Sequence, residues 1–173
     1  MADTVYQAFA ETCQRFPSRP ALMHKLQGRY RIITFQELSQ MIDEVAAGLA
    51  EDGVRPGSMV GIYSYNRPEW VIADMATIKL GAVVVPVYHT LPEESVGYIL
   101  RDAGVTHLFV ETPELFATVT RLLPTLPNLK EVITFFKPPP KTGSGPKLLS
   151  IEMLRRAGTE ALSSNPDLGR PHP

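Results

Sequence analysis

Pro56-Gly57-Ser58-Met59-Val60-Gly61-Ile62-Tyr63-Ser64-Tyr65-Asn66-Arg67-Pro68-Glu69-Trp70-Val71-Ile72-Ala73-Asp74-Met75-Ala76-Thr77-Ile78-Lys79-Leu80-Gly81-Ala82-Val83-Val84-Val85-Pro86-Val87 is the stretch that decides the fold. A Pro-Gly turn opens it. The apolar run Met59 to Tyr63 has the length of a buried strand. Asn66 is placed to cap a helix, and Pro68 falls in the first turn, where a missing N–H costs nothing. The helix runs to about Leu80, and Gly81 supplies the left-handed exit. Ala82 to Val87, rich in β-branched valine, reads as a second strand. Strand, helix and strand in this order make a βαβ unit, so the strands are expected to be parallel with a right-handed crossover. Trp70, Val71, Ile72, Met75, Ile78 and Leu80 surround the helix with apolar side chains, which predicts cover on both of its sides.

Working back towards the N-terminus, Thr34-Phe35-Gln36-Glu37 fits a capping box. Phe35, Leu38, Ile42, Val45 and Leu49 then form one apolar stripe, and Gly53 closes that helix. Glu37 is explained by capping and is no catalytic candidate. Ala21 to His24 and Tyr30 to Ile33 read as short strands about a Gln27-Gly28 hairpin turn. Thr4 to Phe16 reads as a first helix capped by Thr4 or Asp3, with Val5, Phe9, Cys13 and Phe16 at helical spacing.

Towards the C-terminus, Thr90-Leu91-Pro92-Glu93 is a second capping-box pattern before a helix from Glu93 to Ala103. Gly104 leads into strand Thr106 to Val110, Thr112-Pro113 opens another helix, and Glu131 to Phe136 reads as the last strand. The alternation argues an α/β layered fold with a mainly parallel sheet and flanking helices. The expected organisation is an α/β unit over 1–136, a Pro/Gly-rich linker over 137–147, a short helix capped by Ser150 over 148–162, and a tail over 163–173.

The chain has 173 residues, 44% of them apolar and 20% charged, and a formal net charge of −1. That balance offers no electrostatic footprint for nucleic acid. Cys13 is the sole cysteine, which excludes an internal disulfide. No apolar run approaches the length of a membrane helix and the N-terminus is polar, so the cytoplasm is the default compartment and membrane association is at most peripheral.

Several of these residues carry a family resemblance. Ile78-Lys79-Leu80-Gly81-Ala82-Val83-Val84-Val85-Pro86-Val87 resembles the second core motif of the adenylate-forming enzymes, the superfamily of acyl-CoA synthetases, luciferases and peptide-synthetase adenylation domains. Thr34-Phe35-Gln36-Glu37-Leu38 resembles the first. Asn66-Arg67-Pro68-Glu69-Trp70 and Tyr88-His89-Thr90-Leu91 are most similar to the long-chain fatty acid–CoA ligase branch. The resemblance runs from about Val5 to Val110 and loosely beyond. It implies the N-terminal subdomain of the acyl-CoA synthetase-like fold. It also implies a parent ligase that uses ATP with Mg²⁺ and then CoA to convert a fatty acid to acyl-CoA, AMP and pyrophosphate.

Two loops are the candidate sites. In an open parallel sheet, ligands bind beyond the carboxyl ends of the strands. Asn66 and Arg67 lie at a helix N-terminus after the first central strand, where free N–H groups and a cation suit an anion. Tyr88, His89 and Thr90 follow the valine-rich strand, and the resemblance places them near CoA. The acetyl-CoA branch of the family has small glycines where His89 and Thr90 stand. The structural alternatives are that Asn66 and Thr90 merely cap helices. The histidines form no metal set, and neither a Gly-X-Ser-X-Gly elbow nor a Gly-rich dinucleotide fingerprint is present. Thr142-Gly143-Ser144-Gly145-Pro146-Lys147 is superficially similar to the family's phosphate loop. It is shorter, follows three prolines and lacks the glycine after Lys147, so it reads as linker.

The resemblance places the phosphate loop, the nucleotide contacts and a catalytic lysine in later motifs that this sequence does not contain. The expectation is therefore a fragment with no catalytic residue or metal ligand of its own, binding no cofactor by itself and inactive alone. Its partner is the missing C-terminal part of the parent, and homo-oligomers can form through the apolar surface left exposed. Two other classes stay open: a stand-alone AMP- or CoA-binding regulatory module, and a non-catalytic interaction domain.

Overall fold

The computed structural model describes residues 4–140 and 143–170. Helix α1 (Val5–Arg15) opens on a reciprocal cap. The Thr4 hydroxyl accepts from the Gln7 amide at 3.1 Å, and Gln7 Oε1 accepts from the Thr4 amide at 3.1 Å. The buried stripe is rotated from the expected one: Tyr6 and Cys13 are buried, whereas Val5 is exposed. Ring contacts account for this, since Tyr6 packs beside Phe9 at 6.2 Å and takes the Lys79 ammonium over its face at 5.7 Å. The expected cap Asp3 lies outside the described residues.

Strands β1 (Pro20–Leu26) and β2 (Arg29–Thr34) form the expected antiparallel hairpin. Gln27 and Gly28 are both left-handed, with φ of 49° and 80°, which is the two-residue turn whose twist matches its strands. Helix α2 (Phe35–Glu51) begins on the expected capping box. The Thr34 hydroxyl accepts from the Glu37 amide at 3.3 Å, and the Glu37 carboxylate accepts from the Thr34 amide at 2.8 Å. Thr34→Ala is expected to cost about 1 kcal/mol in urea unfolding, the usual worth of such a cap.

Strand β3 (Met59–Tyr63), helix α3 (Pro68–Lys79) and strand β4 (Val83–Val87) make the predicted parallel βαβ unit, in register from Met59↔Val83 to Tyr63↔Val87. No residue of α3 is exposed, as its all-round apolar character requires. Its cap differs from expectation. Arg67, not Asn66, is the N-cap, with no side-chain hydrogen bond. Proline at N1 forces the preceding residue into extended backbone, and Arg67 at φ −158°, ψ 166° is that residue.

Helix α4 (Glu93–Asp102) is preceded by N-cap Pro92 rather than by Thr90. Thr90 sits instead inside a turn closed by the Leu91 amide on the Tyr88 carbonyl at 3.2 Å. Strand β5 (His107–Val110), helix α5 (Pro113–Leu122, capped by Thr112) and strand β6 (Glu131–Thr134) follow as predicted. Strand β6 is not the last, however. Lys147–Ser150 forms β7, parallel to β6 in register Glu131↔Lys147 to Thr134↔Ser150, and Ser150 caps α6 (Ile151–Ser164). Four residues between proline and helix show no local periodicity, and pairing with β6 makes them a strand. The expected tail also contributes, because Leu168 packs on the core.

The five strands order β4-β3-β5-β6-β7, all parallel. Val60, Ile62, Phe109, Ile133 and Leu149 face a core shared with α2, α3 and α6. Tyr63, Val87, Leu108, Val110 and Val132 face a second core under α4 and α5. No described helix is long and apolar enough to cross a membrane.

Candidate functional site

The order in which strands are added reverses at β3, which pairs with β4 on one side and β5 on the other. The carboxyl ends at such a switch point are where an open α/β sheet leaves a crevice. Both loops singled out in the sequence arrive there on adjacent strands. They also touch: the Tyr65 ring stacks on the His89 ring with centroids 3.4 Å apart. Tyr88 is exposed.

A residue that the motif reading missed organises the crevice. Glu111, immediately after β5, accepts from the Tyr65 amide at 2.6 Å, lies 3.0 Å from the Ser64 hydroxyl, and accepts from Arg67 at 3.2 Å. Arg67 also donates to both oxygens of Glu69 at 2.7 and 3.0 Å, and its guanidinium lies 5.4 Å from the Phe135 ring centre. Glu111 was findable from the switch-point rule, since it is the first residue beyond a central strand. The sequence alone gives no sign that Phe135, beyond β6, closes over Arg67.

The electrostatics follow from this count of two carboxylates to one guanidinium. The Glu69 hydrogen bond and both carboxylate charges hold the Arg67 pKa up. Burial alone would raise Glu69, but Arg67 and the Glu69 amide outweigh it and keep the carboxyl below its usual range. Glu69 therefore stabilises the fold above the ordinary carboxylate pKa and loses that contribution as pH falls through its depressed value. An incoming anion at Asn66 and Arg67 has to displace carboxylates already on the cation. Glu111→Ala leaves the Tyr65 amide and half of Arg67 unpaired and is expected to cost about 2 kcal/mol. Urea unfolding at neutral pH measures it.

The phosphate-loop look-alike lies elsewhere. Thr142 is outside the described residues, and Lys147 opens β7 at the opposite, amino end of the sheet. There its ammonium contacts Asp52 at 2.5 and 2.6 Å and Glu131 at 3.3 Å. A cavity of about 250 Å³ beside α5, lined by Phe116, Val119, Leu123, Val132, Pro139 and Leu148 among others, is mainly apolar and shares no lining residue with the crevice. Arg67 and Lys147, the two cations nearest these look-alike motifs, are each held by two carboxylates.

Comparison with known proteins gives the family. A family model described as AMP-binding enzyme matches residues 9–152. The rat long-chain-fatty-acid–CoA ligase ACSBG1 is 27% identical over 171 residues, covering 98% of this chain and 24% of its own. The Mycobacterium bovis long-chain-fatty-acid–CoA ligase FadD15 is 36% identical over 133 residues, covering 77% of this chain and 21% of its own. Among solved structures, the anthranilate CoA ligase AuaEII in complex with anthranoyl-AMP aligns with a TM-score of 0.75 at 26% identity, over 87% of this chain and 27% of that one. A putative long-chain-fatty-acid CoA ligase from Rhodopseudomonas palustris aligns at 0.73 and 26%, over 87% and 36%. The chain spans about a quarter of the length of the curated relatives it matches.

Proposed function

We propose, from the premise that this chain belongs to the AMP-binding enzyme family, that it is the N-terminal α/β lobe of a fatty acid–CoA ligase. The whole enzyme joins a long-chain fatty acid to CoA at the expense of ATP, releasing AMP and pyrophosphate. The observation that carries the reading is collinearity: the ACSBG1 match runs through 98% of this chain, while the same residues fold into the five-stranded parallel sheet.

On this reading the rest of the enzyme holds ATP and Mg²⁺, and no chemical step is assigned to this lobe. Its own work is structural and positional. The Glu111–Arg67–Glu69 network fixes the loop after β3 against the loop after β5, and the Tyr65–His89 stack fixes the loop after β4 to both. On this reading Tyr88, His89 and Thr90 form the part of the lobe nearest CoA, and Asn66 and Arg67 stand beside them as the anion-facing pair. The 173 residues alone do not adenylate a carboxylate.

The test is thioester synthesis by the protein translated from the native reading frame that encodes these residues. With palmitate, ATP, Mg²⁺ and CoA it is expected to yield palmitoyl-CoA and AMP. Activity confined to short or aromatic carboxylates overturns the fatty-acid assignment.

A further inference from the structure

Three residues from three adjacent strands form a line across the crevice, and the parallel register aligns them. Tyr63 and Val87 are the last paired residues of β3 and β4, and Tyr63 also pairs with Val110, which ends β5. Tyr65 and His89 each stand two positions beyond those ends, so equal spacing brings them level. Their rings meet there, with centroids 3.4 Å apart and planes 24° apart. Glu111 stands one position beyond β5. Its amide donates to the Tyr63 carbonyl at 3.2 Å, and its carboxylate accepts from the Tyr65 amide at 2.6 Å.

The line runs from a fixed end to a dependent one. Glu111 is held from several sides: Arg67 donates to its other carboxylate oxygen at 3.2 Å, and the Ser64 hydroxyl lies 3.0 Å away. His89 has far less to hold it. Among the described residues its side chain forms no hydrogen bond or ion pair, and the Tyr65 ring is its one ring contact. Even so His89 is half-buried, whereas Tyr88 and Thr90 on either side of it are exposed. The place of His89 is therefore set by the Tyr65 ring, and the place of Tyr65 by Glu111.

We propose that Glu111 and Tyr65 are positioning residues for CoA, acting through His89, and that they serve the thioester-forming half of the reaction rather than the adenylating half. The inference rests on the reading that Tyr88, His89 and Thr90 face CoA. A residue that orients a binding side chain alters KM for the ligand met by that side chain. It leaves a half-reaction without that ligand as it was.

The test uses the protein translated from the native reading frame. Palmitoyl-CoA synthesis is followed with CoA varied at saturating palmitate and ATP, and palmitate-dependent exchange of pyrophosphate into ATP is followed with CoA omitted. Tyr65→Ala is expected to raise KM for CoA about tenfold, the upper range for one ring contact, and to leave exchange within about twofold of the parent. Glu111→Ala is expected to act in the same direction on both. Tyr65→Phe keeps the ring and Glu111→Gln keeps an acceptor for the Tyr65 amide, so each is expected to restore most of the parent KM. Tyr65→Ala combined with His89→Ala is expected to be no worse than His89→Ala alone, because the ring acts through His89. Tyr98→Ser, which removes an exposed tyrosine from α4, is the control and is expected to change neither assay. An unchanged CoA KM in Tyr65→Ala, beside a raised one in His89→Ala, overturns the inference and leaves the CoA reading standing. An unchanged KM in His89→Ala as well overturns both. Equal loss of exchange and of thioester synthesis at constant KM means that Glu111 and Tyr65 serve folding alone, and it too overturns the inference.

Discussion

Gly158→Ala is expected to destabilise the protein by about 3 kcal/mol, although alanine is ordinarily the better helix former by up to about 1 kcal/mol. Helices α2 and α6 cross where Gly48 meets Leu154 and Gly158 meets Glu44. A Cβ at Gly158 would stand 1.8 Å from the Glu44 carbonyl oxygen, 2.8 Å from its carbon and 2.9 Å from the Gly48 nitrogen. All three are backbone atoms, so no rotamer change relieves the clash and the helices have to separate. Separation uncovers Ile151 and Leu154, which α6 buries in the larger core. Gly97 is the control. A Cβ there meets the Leu122 Cδ2 atom at 2.9 Å, the end of a side chain that can turn aside. Gly97→Ala is expected to be neutral or slightly stabilising. Urea unfolding of both variants decides the matter, and stabilisation by Gly158→Ala would refute the close helix crossing.

The second large effect is a dependence of stability on pH centred on Glu131. His107, Glu131 and Lys147 stand in register at the amino ends of β5, β6 and β7, and Asp52 reaches them from the end of α2. Glu131 is 2% exposed, and its Oε1 has no partner among the described residues. Burial first, then the Asp52 charge, push its pKa up to about 7 against the partial relief of Lys147. A carboxyl raised in this way stabilises the fold fully below its unfolded pKa. It loses that contribution as pH rises through about 7. His107 runs the other way. Burial holds its pKa down, so its contribution is present above the ordinary histidine value and falls away in acid. Comparison of Glu131→Gln with the parent protein separates the two. Between pH 5 and pH 8 the stability difference is expected to shift towards the variant, by on the order of 3 kcal/mol. A difference that stays flat across that range would mean that Glu131 is charged throughout.

The predictions that held in the sequence were those set by local chemistry. The Thr34 capping box and the Gln27-Gly28 turn each rest on residues within a few positions of one another, and the β3–α3–β4 unit on one continuous stretch, Met59–Val87. The misreadings have different physical origins. Pro68 imposed extended backbone on Arg67 and so moved the cap from Asn66. The turn at Tyr88–Leu91 took Thr90 out of the capping role. Strand β7 is a product of pairing with β6, and four residues after Pro146 carry no period to read. At the crevice, sequence placed both candidate loops at the carboxyl ends of two strands, and the structure has those strands adjacent. It did not show that Glu111 would join Glu69 on Arg67, because that contact is between residues more than forty positions apart.

The central claim is that these residues form one lobe of a fatty acid–CoA ligase and assemble no adenylating centre of their own. Fatty-acid-dependent exchange of pyrophosphate into ATP, measured on the purified 173-residue chain with Mg²⁺ and palmitate, tests it most directly. The account predicts no exchange above the protein-free background. Saturable exchange that copurifies with the chain and disappears without palmitate would contradict it, and would place a complete nucleotide site within these residues.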